Sequence, residues 1–173
     1  MKKKLQLLFC FFLGGCTGIP GNLAPIQNFE VNRYLGTWYE IARLDHSFER
    51  GLTDVSAEYS MAPNDTIRVV NRGYSVQKGK WKTVEGVAKF VQSPDIGHLK
   101  VSFFGPFYGS YIILDIDKET YQYALVCGPN KEYLWILSRQ PTLDKHVLSQ
   151  LIAQAQAMGF PTEELIIVPH TKK

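Results

Sequence analysis

Residues 28–42 read Asn-Phe-Glu-Val-Asn-Arg-Tyr-Leu-Gly-Thr-Trp-Tyr-Glu-Ile-Ala, and their second half sets the pattern for most of the chain. A strand is predicted over 36–44, because side chains alternate there and Trp38, Glu40 and Ala42 share one face. The alternation continues downstream. Further strands are predicted at 53–61, 67–76, 83–92, 99–104, 110–117, 121–127 and 133–139. Pro63-Asn64-Asp65, Lys78-Gly79-Lys80, Ser93-Pro94-Asp95-Ile96-Gly97, Asp117-Lys118-Glu119-Thr120 and Gly128-Pro129-Asn130-Lys131 supply the turns between them.

Short strands at this spacing read as an antiparallel sandwich or barrel. Eight of them can close on themselves, which removes exposed edges and leaves an interior wide enough for one small ligand. After Pro141 the period changes: Leu143, Val147, Leu148, Leu151, Ile152, Ala155 and Met158 form one helical stripe. Thr142 is the expected N-cap and Gly159 the stop, so a single amphipathic helix is predicted to pack outside the strands. A last short strand is expected at 165–168, at the rim. The 173 residues suit one domain.

Upstream, residues 1–15 combine Lys2, Lys3 and Lys4, an apolar run from Leu5 to Leu13 and the pair Gly14-Gly15, the anatomy of a secretory signal. The run is too short to span a bilayer, which takes roughly 20 apolar residues. Residues 16–27 hold Gly18, Pro20, Gly21 and Pro25 without apolar periodicity and read as a flexible tether, leaving 28–173 as the folded domain. The three signal lysines account for the whole formal charge of +3, so the chain beyond them is neutral and nothing points to nucleic acid. Cys127 is expected to be a buried, apolar thiol.

Leu13-Gly14-Gly15-Cys16 resembles the bacterial lipobox. That resemblance implies a diacylglyceryl group on Cys16, and Thr17 in place of an Asp implies retention at the outer membrane, on its periplasmic face. The run 28–42 with its Gly36-x-Trp38 core resembles the first motif of the lipocalin family. Asp117 with 121–126, and Leu134-Trp135-Ile136-Leu137-Ser138-Arg139, resemble the second and third motifs in family order; the second departs from the usual Thr-Asp-Tyr by reading Ile116-Asp117-Lys118. The resemblance implies an all-β fold, an eight-stranded antiparallel up-and-down barrel with a C-terminal α-helix outside. Gly36, Trp38 and Arg139 would be structural: Trp38 plugs the closed end, and Arg139 lays its guanidinium over the indole and donates to nearby carbonyls. The run Leu99-Lys100-Val101-Ser102-Phe103-Phe104-Gly105-Pro106-Phe107-Tyr108-Gly109 resembles lipid-anchored bacterial lipocalins in particular, which implies binding of fatty acids or lysophospholipids and service in the envelope.

Strand parity, with Trp38 and Arg139 as interior references, puts Glu40, Ala42, Val55, Ala57, Tyr59, Ile67, Val69, Asn71, Val84, Gly86, Ala88, Phe90, Leu99, Val101, Phe103, Tyr111, Ile113, Trp135 and Leu137 inward. This apolar and aromatic lining, with isolated polar groups, suits an acyl chain. Arg43, His46, Arg50 and Lys78 read as solvated surface charges. Rival readings are an envelope protein that binds partners, as a homodimer for example, around a filled barrel, and an enzyme using Cys127. No catalytic residue, cofactor or metal site is expected: the thiol has no evident base, and no triad, metal-ligand cluster or phosphate loop appears.

Overall fold

The computed structural model describes residues 17–172; the segment 1–15, expected to be a signal, and Cys16 lie outside them. After the single helical turn α1 (Val31–Tyr34) come β1 (Gly36–Arg43), β2 (Leu52–Ala62), β3 (Thr66–Ser75), β4 (Lys80–Phe90), β5 (His98–Phe104), β6 (Phe107–Ile116), β7 (Tyr123–Cys127) and β8 (Leu134–Ser138). Next follow α2 (Lys145–Ala157), a short 3-10 turn (Thr162–Glu164) and β9 (Ile166–Ile167). Neighbours pair antiparallel in order β2 to β8, β8 pairs with β1, and β1 returns to β2, closing an eight-stranded barrel with β9 added on β1.

Two apolar clusters share the barrel wall. The inner one holds Trp38, Tyr59, Val69, Ala88, Leu99, Ile113, Val126 and Leu137. The outer one gathers Ile41, Ala42, Leu44, Ile112, Leu125, Leu134 and Ile136 beneath Leu151 and Ala155 of α2. Helix α2 is capped by Asp144, whose carboxylate accepts from the amides of His146 and Val147, and not by Thr142. Its end meets expectation: Gly159 takes φ +80°, its amide donates to Gln156 and that of Phe160 to Ala155.

One irregularity redirects the chemistry of the mouth. The β1–β8 register slips between Glu40 and Ala42, so Glu40 faces Leu137 inside while Ala42 pairs with Ile136 on the outer side. Ala42 therefore packs under α2 and does not line the interior, a correction to the parity count. The same slip turns Arg43 inward, opposite Trp135.

A second irregularity opens a seam. Beyond Tyr39, β1 no longer pairs with β2, and the C-terminal residues fill the gap. Val168 donates its amide to the Ile41 carbonyl at 2.9 Å and Asp54 donates its own to Pro169 at 2.8 Å. The Asp54 carboxylate accepts the amides of Thr171 (2.5 Å) and Lys172 (2.6 Å). Val55, expected in the lining, packs here with Leu52 and Val168.

Residues 17–27, expected to be a free tether, are laid along the barrel. Ile26 bonds through its backbone to Ile113 and Gly97, Gln27 bridges to Ile96, and Ile19 and Leu23 pack against the outer cluster.

Candidate ligand-binding site

The closed end is a filled floor. Trp38 is fully buried and donates its indole N–H to the Tyr34 carbonyl at 2.8 Å. The Arg139 guanidinium lies 4.0 Å from the Trp38 ring and donates to the carbonyls of Arg33, Thr37 and Tyr121, the arrangement anticipated for this pair. Gly36 sits beside them at φ +92°, with Arg139 Nη1 3.5 Å from where a Cβ would stand. Phe90 belongs to this floor, its ring 6.4 Å from that of Phe29.

Above the floor three phenols meet: Tyr59 donates to Tyr111 at 2.9 Å, and Tyr34 and Tyr111 share a bond of 2.7 Å. Burial pushes all three above the usual tyrosine range, so they stay protonated. Three hydroxyl protons serve two bonds, which leaves one donor over.

Higher still, Ala57, Asn71, Val84, Val101, Phe103 and Trp135 face inward yet keep partial exposure, in contrast to the buried Tyr59, Val69, Ala88, Ile113 and Leu137 below. Asn71 sits opposite Ala57 and Val84, and its buried Oδ1 has no hydrogen-bond partner. The Phe103 ring covers Gly86, where an added Cβ would come within 2.6 Å of it. The upper interior is thus an apolar funnel with one unsatisfied amide oxygen on its wall, and the phenol group at its base.

The mouth carries a charged cluster that parity did not reveal. Arg43, 2% exposed, bonds Glu40 Oε1 at 2.6 Å and donates to the carbonyls of Glu49 and Leu52. Glu49, from the β1–β2 loop, accepts from Trp135 Nε1 at 3.0 Å and lies 2.9 Å from His46 Nε2. Burial, with repulsion from Glu49, holds Glu40 well above the usual carboxylate range and outweighs the pull of Arg43. Burial works the same way on Glu49, but the hydrogen bond and charge of His46, then Trp135 and Arg43, leave it below that range. Arg43 and His46 are therefore not solvated surface charges. The broken alternation of Ile41-Ala42, followed by Leu44, was the available signal. Arg50 does bond at the surface, to Asp45, and Lys78 is exposed as expected.

A separate cleft of about 350 Å³ lies beside the mouth, lined by Leu44, Asp45, His46, Glu132, Tyr133 and Glu164 among others. Its acidic rim disfavours a carboxylate ligand. Among the described residues no group of three or more side chains is disposed to hold a metal. Cys127 is buried in the outer cluster, and burial pushes its thiol up to about 12.

Comparison with known proteins places these features in context. Residues 29–170 match the model of the lipocalin-like domain. The chain is 52% identical to the outer membrane lipoprotein Blc of Vibrio cholerae over 168 residues, 97% of this chain and 98% of that protein. It is 49% identical to the outer membrane lipoprotein Blc of Escherichia coli, over 86% of this chain and 84% of the relative. Among solved structures, insecticyanin from the tobacco hornworm Manduca sexta superposes with a TM-score of 0.70 at 22% identity, covering 90% of this chain and 88% of its own.

Proposed function

This chain belongs to the lipocalin family, and on that premise we propose that it binds a fatty acid or lysophospholipid in the upper funnel, as a non-catalytic carrier or store in the cell envelope. The observation that carries this reading is the contrast within the interior, a partly exposed apolar lining above a buried floor. An acyl chain would lie against Val101, Phe103 and Trp135, with polar atoms in reach of Asn71 Oδ1 and the spare phenol proton. Arg43 is not the headgroup receptor in this reading, since Glu40 and two carbonyls already occupy its fork.

The names of the relatives support placement at the outer membrane; acyl chains on Cys16 and a periplasmic orientation belong to the proposal. Several acyl chains at roughly 0.8 kcal/mol per buried methylene hold a protein there stably. A buried thiol with a raised pKa is a poor nucleophile, which speaks against the enzymatic alternative.

The test is a titration of the mature protein with a fatty acid and, separately, a lysophospholipid, followed by tryptophan quenching, with Trp135→Phe as control. Saturation near equimolar ratio, with the quench lost in the control, is expected. Absence of saturation with both lipids would overturn the carrier reading in favour of partner binding around a filled barrel.

A further inference from the structure

The hairpin of β5 and β6 carries an exposed surface that the barrel's own packing leaves unused. At its tip Phe104 and Phe107 pair across the turn, 76% and 66% exposed. Below them on the outer face lies Tyr108, with the ammonium groups of Lys100 and Lys89 at 5.2 and 5.9 Å from its ring centroid. The stretch 96–114 contains no carboxylate. Apolar rings outermost, then a phenol, then flexible amines is the order of side chains that a bilayer interface favours with depth.

The N-terminal strap ends on this same face. Ser110 Oγ donates to the Gly18 carbonyl at 2.8 Å, and Thr17 lies against His98. Ser110 is three residues from Phe107, roughly 10 Å along an extended strand. Thr17 is thus on the outer face of this hairpin, toward the base of β5 and away from the aromatic tip, and α2 covers the wall from β6 round to β1.

We propose that the β5–β6 hairpin and the adjoining outer face of β4 lie against the lipid bilayer that receives the Cys16 acyl chains, so that the barrel is docked by its wall and tilted mouth toward the leaflet. This inference rests on the reading of Cys16 as lipidated and adds an orientation to it. Acyl chains and an aromatic-basic patch together make two membrane signals on one face, which fixes rotation as well as attachment. Phe103 and Tyr111 line the funnel on the same two strands, so a lipid passes from leaflet to funnel along the hairpin.

The experiment uses the acylated protein reconstituted in vesicles of phosphatidylethanolamine and phosphatidylglycerol, carrying an environment-sensitive fluorophore at Phe107→Cys or at Phe104→Cys. Cys127 is buried and stays unlabelled, and Asn64→Cys on the β2–β3 turn is the control. Lipids bearing a nitroxide on the acyl chain are expected to quench both hairpin labels at least about twofold more than the control. A hairpin label as water-exposed as the control, on protein that carries its lipid by mass and floats with the vesicles, overturns the orientation and leaves the anchor standing. Protein without acyl mass on residue 16 that fails to float overturns both. Shielding that depends on protein concentration and persists without vesicles overturns it in favour of a second copy.

Discussion

The two ends of the barrel solve the problem of buried polarity in opposite ways. At the floor a single cation, Arg139, spends its donors on three backbone carbonyls and its face on Trp38, and no carboxylate is involved. At the mouth Arg43 is set among two buried carboxylates and a histidine, each depending on the others. The floor is a locally satisfied unit that tolerates loss of a contact. At the mouth, removing one partner strands the rest.

Arg43→Met breaks this contrast hardest. It leaves Glu40 and Glu49 buried without their cation and is expected to cost about 3–5 kcal/mol in urea unfolding. Adding Glu40→Gln should restore a large part of that loss; a double variant as unstable as the single one would show that packing, not charge, is what Arg43 supplies. Arg139→Met at the floor should cost about 2 kcal/mol, from lost cation-π contact and carbonyl bonds, and no second substitution there should rescue it.

Next in size is the seam. Asp54→Asn should cost about 1–2 kcal/mol at neutral pH by weakening the bonds to Thr171 and Lys172. Burial alone would raise the Asp54 pKa, but the Thr53 hydroxyl and the two tail amides hold it below its ordinary 3.8. Its contribution is therefore fully present above that value and lost as pH falls through the lower folded value, so acid should release the tail, read as new amide exchange at 168–172. Glu40 runs the other way. Its folded pKa lies above the ordinary 4.5, so its share of stability is present below 4.5 and declines as pH rises toward the folded value. Glu40→Gln should remove that decline, seen as a flatter urea midpoint against pH. The smallest stability effect is expected from Trp135→Phe, below about 1.5 kcal/mol for one donor to Glu49, although it should erase the ligand-dependent quench.

The same division governs what the residues disclose before any coordinates. The floor was readable because Gly36, Trp38 and Arg139 do their work through features fixed by residue type: a left-handed φ, a large ring, a planar fork. Most of the inner wall followed from parity, since Ala57, Tyr59, Val69, Val101, Phe103, Tyr111, Ile113, Trp135 and Leu137 all face the inner cluster. Parity failed at Ile41, because one extra residue inverts every position after it, and with it went Ala42 and Arg43. Asp144 was missed as the helix cap because Thr142, two residues earlier, carries an equally suitable side chain. The packing of residues 17–27 was illegible because those contacts are made mainly by backbone groups, and composition says nothing of where an amide finds its partner.

The tail that fills the gap between β1 and β2 makes one side of the barrel depend on two stretches far apart in the chain. Residues 166–172 bond to Ile41, Arg43 and Asp54. All eight strands can pair and still leave an unsealed slot beside the mouth until these residues are in place. The tail thus acts as a latch, and removal of 166–172 would leave a barrel whose strands are all present and whose side stays open.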